Sequence, residues 1–573
     1  MADPQKPKSP PPGGEISVER RMLLAFVLVG VVLLLSQWLF SPKAPSRTGA
    51  KQTEPATVEQ VKPPAAPPPA PVQSKTAAEP AKPVAAGNEQ LTTVDTKVFR
   101  IVFSNRGGVV RSWLLKNYKD SDGKPLELVN AKGSEKSSYP FSLLFDNQKP
   151  SVDLNQSLYA MNVTDGGLGI SFDFSNGRTV AHKSLRFAPD SYLFDLVSDV
   201  KENGAGIPHL LSWRSGFGDR TAYAAPAAMK TLYFDTAANK LVENEVKAAK
   251  NGPVATSGTY SFAGIEDMYF LGVFLPRDRH TVTAQTLSDS VQLTPEGGEV
   301  PVIGVGVGGE GRNEFSVFVG PKDLDLLRRV NPKLAGAVDF GWFSILARPI
   351  FLTLNWLHNN WIHSYGWSII LLTLIINMAL LPLKLSGMRG MKKMSALQPQ
   401  IQEINAKYKN LSLTHPKKAE QNQEVMALYK AHGVNPLGAG CLPMLLQIPF
   451  FFAFYKVLSV AIELRGADWL WIKDLSHFDP YYLLPIIMVV TQFVLQRMTP
   501  NTTADPAQQK MMMFMPLMFG FLFFKASAGL VLYWLTSNLV SIAQQAFINK
   551  ITPAPATVAA APAKQPAKSK IRK

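Results

Sequence analysis

The chain has 573 residues, 46% of them apolar and 18% charged, and Lys plus Arg exceed Asp plus Glu by 59 to 43. A net charge of +16 points to an anionic partner such as a phospholipid surface, nucleic acid or the ribosome. The lone cysteine, Cys441, excludes a disulfide framework and any Cys-rich zinc or iron–sulfur site, and the gathering of apolar residues into uncharged runs excludes a purely soluble chain. The length allows roughly three or four folding units.

After an N-terminal tail expected in the cytoplasm (1–21), Met22–Phe40 carries no charge and would cover about 28 Å as a helix, close to a hydrocarbon core of ~30 Å. Arg20 and Arg21 precede it, and Ser41-Pro42-Lys43 after it offers no small-residue cleavage pattern, so an uncleaved signal-anchor is expected. Residues 41–90 hold 11 Pro and 11 Ala, a composition that cannot bury enough apolar area to fold and predicts a disordered linker. From 91 to 330 the pattern alternates. Val98–Phe103, Tyr192–Leu196 and Glu314–Val319 are expected as strands, Asn105–Gly108 and Asp122-Gly123 as turns, and the whole as a β-sandwich. Gly304–Gly309 fits G-x-G-x-x-G, but with a strand rather than a helix after it a glycine turn is the expected reading.

The segment 342–363 spaces Phe343, Leu346, Ile350, Leu354, Leu357 and Trp361 three or four apart, giving an amphipathic helix at the membrane interface, kinked or divided at Pro349. Five apolar runs follow, near Gly366–Leu385, Leu437–Ile462, Tyr482–Gln496, Met511–Phe524 and Gly529–Ile548. Residues 384–430 carry nine Lys/Arg against three Glu, and the tail from Lys550 six basic residues and no acid, whereas 463–480 carries two basic and four acidic residues. The basic segments belong inside and the acidic one outside, which six α-helical spans with both termini inside satisfy.

No run has an Asp or Glu in its interior, and H-E-x-x-H, a P-loop and a G-x-S-x-G elbow are all lacking, so neither catalysis nor a cofactor or metal is expected. The runs hold uncharged polar groups instead: Thr373 and Asn377 on one helix face with Lys384 seven residues on, Gln447 mid-run, and Tyr533, Trp534, Thr536, Ser537 and Asn538 together. Such groups serve either interhelical hydrogen bonding or a hydrated cavity, and spacing alone does not choose. In 386–432, Met388, Met391 and Met394 open an amphipathic helical hairpin whose methionines suit either varied apolar contacts or an ordinary core.

Asn435-Pro436-Leu437-Gly438, Cys441-Leu442-Pro443, Gln447-Ile448-Pro449-Phe450-Phe451, Asp479–Pro485 and Ser527–Trp534 closely resemble the bacterial YidC membrane-protein insertases, relatives of the mitochondrial and chloroplast insertases. The resemblance is dense over 340–548, and the first run, linker and β-rich region resemble the Gram-negative form. It implies a five-helix core (366–548) around a hydrophilic groove open to cytoplasm and lipid, a periplasmic supersandwich-like domain, and an inner-membrane location. Thr373, Gln447 and Tyr533 would line the groove, with Asn377, Trp534, Ser537 and Asn538 beside them. The implied partners are nascent membrane proteins, the Sec translocon, the ribosome, the signal-recognition-particle receptor and anionic phospholipids, but not DNA. The hairpin and the basic tail (549–573) would take part in substrate reception.

One departure stands out. The family usually places an arginine where this chain has Asn377, and Lys384 is expected to supply the positive potential from the groove mouth. A channel or transporter would call for inverted repeats and coupling carboxylates, which are lacking, and a scaffold for the translocon would not need polar residues mid-span.

Overall fold

The computed structural model describes residues 82–120, 123–219, 229–278, 281–292, 299–408, 415, 417–434, 442–499 and 506–551. The expected signal-anchor, most of the linker, the motif 435–441 and most of the basic tail lie outside these residues.

Alternation builds the first half. In Phe99–Ser104, Phe99, Ile101 and Phe103 are fully buried while Arg100 is exposed, as one sheet face against a core requires. This strand belongs to a four-stranded antiparallel sheet with Leu91–Asp95, Val109–Lys119 and Pro125–Glu127. A second sheet runs, in spatial order, through Lys240–Glu245, Lys230–Asp235, Tyr260–Glu266, Phe270–Pro276, Arg312–Pro321, Leu193–Glu202, Thr179–Phe187, Gly169–Ser175 and Ala160–Thr164. Ala205–Gly206 adds a short tenth strand beside Leu193–Glu202. The third sheet orders Val254–Gly258, Val282–Gln292, Glu299–Gly308, Leu210–Trp213 and Ser142–Leu144. The three meet at Trp113 of the first, whose ring lies 5.5 Å from Phe194 of the second and 5.8 Å from Trp213 of the third. A simple two-layer sandwich is thereby extended by a third sheet.

The glycine run is a correction. Gly304 and Gly306 lie inside the strand Glu299–Gly308, Gly304 paired with Leu287 and Gly306 with both Gln285 and Ser212, and of the four glycines only Gly308 and Gly309 have positive φ, 153° and 126°. Glycine recurs here because of close packing: a Cβ on Gly306 would sit 3.1 Å from Leu144 Cδ1 and 3.2 Å from Leu210 Cδ1.

The helices are α1 (Ala131–Lys136), α2 (Leu324–Val330), α3 (Ser344–Leu357), α4 (Tyr365–Ala379), α5 (Leu381–Ala396), α6 (Gln398–Lys407), α7 (Lys417–Ala431), α8 (Leu442–Val460), α9 (Leu483–Met498), α10 (Pro506–Phe523) and α11 (Ala528–Ile551). Helix α3 passes unbroken through Pro349 and buries Ala347, Ile350, Phe351, Leu354 and Leu357. The chain turns instead at His363, whose φ is 54°, after a π-turn over His358–Ile362. That turn shifts the register, so Trp361 leaves the expected apolar face and is exposed, its ring 5.5 Å from Trp356.

Among the described residues no single helix is long and apolar enough to cross a membrane; Ser344–Ile362 with α4 passes only as a pair bent by 118°. The run Gly366–Leu385 is divided at Leu380, with Pro382 in the first turn of α5. Residues 386–432 likewise form two helices and part of a third rather than a plain hairpin, because Pro399 starts α6. Helix α11 packs on α4, α8 and α9, while α3 packs on α8.

Candidate functional site

Helix α11 carries polar residues on two faces, and each face meets a different neighbour. On the first, Asn377 of α4 is buried and donates through Nδ2 to the Thr373 carbonyl (2.8 Å) and to Ser537 Oγ (3.4 Å). Its Oδ1 accepts from Lys384 Nζ at 2.6 Å. Two turns further along α11, Gln544 Nε2 donates to the Asn377 carbonyl at 3.4 Å, and Lys392 Nζ reaches the Ile548 carbonyl at 3.1 Å. These contacts make a polar seam along α4, α5 and α11. The second face meets α9: Asn538 Nδ2 donates to the Met488 carbonyl and Thr491 Oγ1, both at 3.3 Å, and Trp534 Nε1 to Gln492 Oε1 at 3.3 Å.

The expected groove residues therefore divide. Asn377, Lys384 and Ser537 come together. Thr373 is fully buried just behind them and returns its hydroxyl to its own helix at the Ile369 carbonyl, 2.6 Å away. Trp534 and Asn538 belong to the other face. Tyr533 is buried and stacks on Phe454 of α8 with centroids 4.2 Å apart, so its ring packs the helices together. Gln447 lies within α8, and its side chain is outside the described residues. Of the three methionines only Met394 is buried, in a small separate core with Leu397, Ile401, Tyr429 and Val434; Met388 and Met391 are half-buried.

Gln544, Lys392, Thr491 and Gln492 were not among the sequence candidates. Gln544 had a readable signal, since it follows Ser537 by seven residues in one apolar run, and within a helix that step keeps a face.

At the other end of the helices one loop is tied to the starts of α9 and α11. Asp479, buried in the loop before α9, accepts from Trp471 Nε1 and the Tyr481 amide through Oδ1 (both 3.1 Å) and from the Leu484 amide through Oδ2 (2.7 Å). The Leu475 and His477 carbonyls accept from the Gly529 and Ala528 amides at 2.9 and 2.6 Å, which caps α11. Among the described residues no group of His, Cys, Asp and Glu could hold a metal ion.

Two family descriptions match the chain: "YidC periplasmic domain" over residues 91–353 and "60Kd inner membrane protein" over 356–555. A membrane protein insertase YidC of Syntrophus aciditrophicus is 35% identical over 93% of this chain and 100% of its own length. One from Geotalea daltonii is 35% identical over 94% and 100%. The chain belongs to the YidC membrane-protein insertase family. A solved structure titled as an active YidC insertase with its first transmembrane domain resolved aligns over 91% of this chain and 99% of its own at 18% identity, with a TM-score of 0.34. In family terms the β-rich half is the periplasmic domain and the helical half the inner-membrane part. The family consists of insertases, not enzymes.

Proposed function

We propose that this protein inserts nascent membrane proteins into the inner membrane by receiving a transmembrane segment along the polar seam of α4, α5 and α11. The observation that carries this reading is the hydrogen-bonded set of buried Asn377 and Ser537 with half-buried Lys384, set between the apolar helices α4 and α11 and the start of α5. A polar flank crossing bare hydrocarbon leaves peptide groups unpaired at several kcal/mol each. Amide, hydroxyl and ammonium groups offer replacement partners, and burial of the segment's apolar residues in lipid drives release. No energy source is needed.

The loop charges favour six spans with both termini in the cytoplasm. In that arrangement Lys384 lies on the cytoplasmic side of Asn377 and stands in for the arginine usual in the family. Cooperation with the Sec translocon, contact with the ribosome and the signal-recognition-particle receptor, and affinity for anionic phospholipids belong to the same proposal. They rest on the family resemblance and on the net charge of +16.

The test uses purified protein in liposomes with a small single-span substrate and no translocon or nucleotide. Protease-protected substrate above empty liposomes, reduced in Asn377→Leu/Ser537→Ala, is the expected result. No gain over empty liposomes would turn the reading towards a scaffold for the translocon, with the seam as ordinary helix packing.

A further inference from the structure

The loop between α8 and α9 is joined to the β-rich half by an ion pair that spans 246 residues of sequence. The Arg465 guanidinium meets both carboxylate oxygens of Asp219, and the two side chains are only 5% and 1% exposed. It also donates to the Lys119 carbonyl at 3.1 Å and lies over the rings of Tyr269 and Phe270, 5.2 and 5.4 Å from their centroids. Planar stacking and fork-shaped hydrogen bonding together are what a guanidinium supplies and an ammonium does not. The second ion pair between the segment before α3 and the helical core, Lys456 with Asp339 at 3.5 Å, is 34% and 52% exposed and is screened by water.

The same loop is stitched to three helices. Trp469 lies against Gly366 at the start of α4, where a Cβ would come within 2.2 Å of the indole. Asp479 holds the first turn of α9, and the Leu475 and His477 carbonyls hold that of α11. We infer that the Arg465–Asp219 pair is the pin that makes the periplasmic domain, this loop and the outer ends of α4, α9 and α11 one rigid body. The outer end is then the fixed end of the helical core, and any parting of α4 from α11 hinges there and opens at the Lys392–Ile548 end. The second clause rests on the insertion reading; the pin itself does not.

The experiment is pulsed electron paramagnetic resonance on the full chain in nanodiscs. Spin labels go on Cys residues at Lys240 in the periplasmic domain and Tyr481 beside α9, both exposed, in a Cys441→Ser background. A single narrow distance is expected for the parent and for Lys456→Gln. Loss of that narrow peak is expected in Arg465→Gln and in Asp219→Asn, because removing one partner strands the other charge in a buried site. Arg465→Lys keeps the charge but loses fork and stacking, and an intermediate width is expected. A peak equally narrow in Arg465→Gln and Asp219→Asn would overturn the pin, whatever the insertion assay returns. A near-ultraviolet circular dichroism spectrum like the parent's shows which variants retain their aromatic core, and the distance is read from those.

Discussion

Lys384 and Asn377 lie on separate helices, on either side of the turn at Leu380, and the lysine ammonium reaches back to donate to the asparagine amide oxygen at 2.6 Å. Asparagine has a second hydrogen-bonding group, its NH₂, and that one faces Ser537 on α11. The amide therefore relays between a cation and a hydroxyl that do not meet. An arginine at 377 would bring its charge from the helix itself; here a seven-residue offset brings it from the next helix.

The first prediction concerns that charge. A unit charge about 6 Å from an acidic flank, at an effective dielectric constant near 20, contributes about 3 kcal/mol before screening. Lys384→Gln should therefore lower insertion of substrates with acidic flanks several-fold and leave neutral-flank substrates nearly unchanged. Asn377→Arg in the Lys384→Gln background should restore the loss. Protease protection in liposomes measures both, and equal yields from Lys384→Gln and the parent on acidic flanks would remove the idea.

The methionines of the segment 386–432 separate by burial. Met394 is 8% exposed in a core of five buried residues, so Met394→Ala should cost about 2 kcal/mol, the low end for a buried methionine. Met388→Ala at a half-buried position should stay within about 0.5 kcal/mol. Hydrogen exchange of α6 and α7 reads the difference: faster exchange only in Met394→Ala is expected, and identical exchange in both variants would show that this small core does not hold the segment together.

The periodic parts of the fold were legible in the sequence and the breaks in it were not. Phe99, Ile101 and Phe103 alternate with smaller or polar residues, and two-residue periodicity is a local signal. Trp361 was misplaced because a π-turn inserts an extra residue after α3, and Gly304 and Gly306 were read as a turn because close packing also selects glycine. Asn377, Lys384 and Ser537 could be picked out as polar groups in apolar runs. Their separation from Asn538 and Trp534 could not, because it depends on which neighbour each face of α11 meets. Arg465 and Asp219 carried no sequence signal at all, being two ordinary charges 246 residues apart.

Helix contact in the core gives a third prediction. A Cβ on Gly520 of α10 would fall 2.5 Å from Val489 Cγ2 of α9, and valine is short and stiff. Gly520→Val should force the two helices apart at a cost of about 1–3 kcal/mol, seen as a lower thermal midpoint in detergent. Gly529→Ala, whose Cβ would meet its nearest atom at 3.3 Å, should be tolerated far better. Equal midpoints for the two variants would mean that α9 and α10 do not pack this closely in the membrane.

The last prediction lies in the periplasmic domain. Lys183 is 2% exposed and donates to the carbonyls of Gly107 (2.7 Å), Phe141 (2.8 Å) and Gly108 (3.3 Å), tying the Asn105–Gly108 turn to the strand entry at Phe141. Burial, with no carboxylate partner among the described residues, pulls its pKa down from 10.5 to about 7. Below about 7 the amine is charged in both folded and unfolded chains, and the cost of burying the charge is constant. Between about 7 and 10.5 the unfolded chain holds a proton that the folded one has released, so stability rises with pH, by at most about 1.4 kcal/mol per unit. In Lys183→Met that contribution vanishes while every other titrating group is kept. The thermal midpoint of the parent should therefore rise relative to Lys183→Met as pH goes from about 7 to 10. Circular dichroism melts of the two proteins across that range decide it: parallel curves would mean that Lys183 stays charged in the folded domain, with its three carbonyls compensating the burial in full.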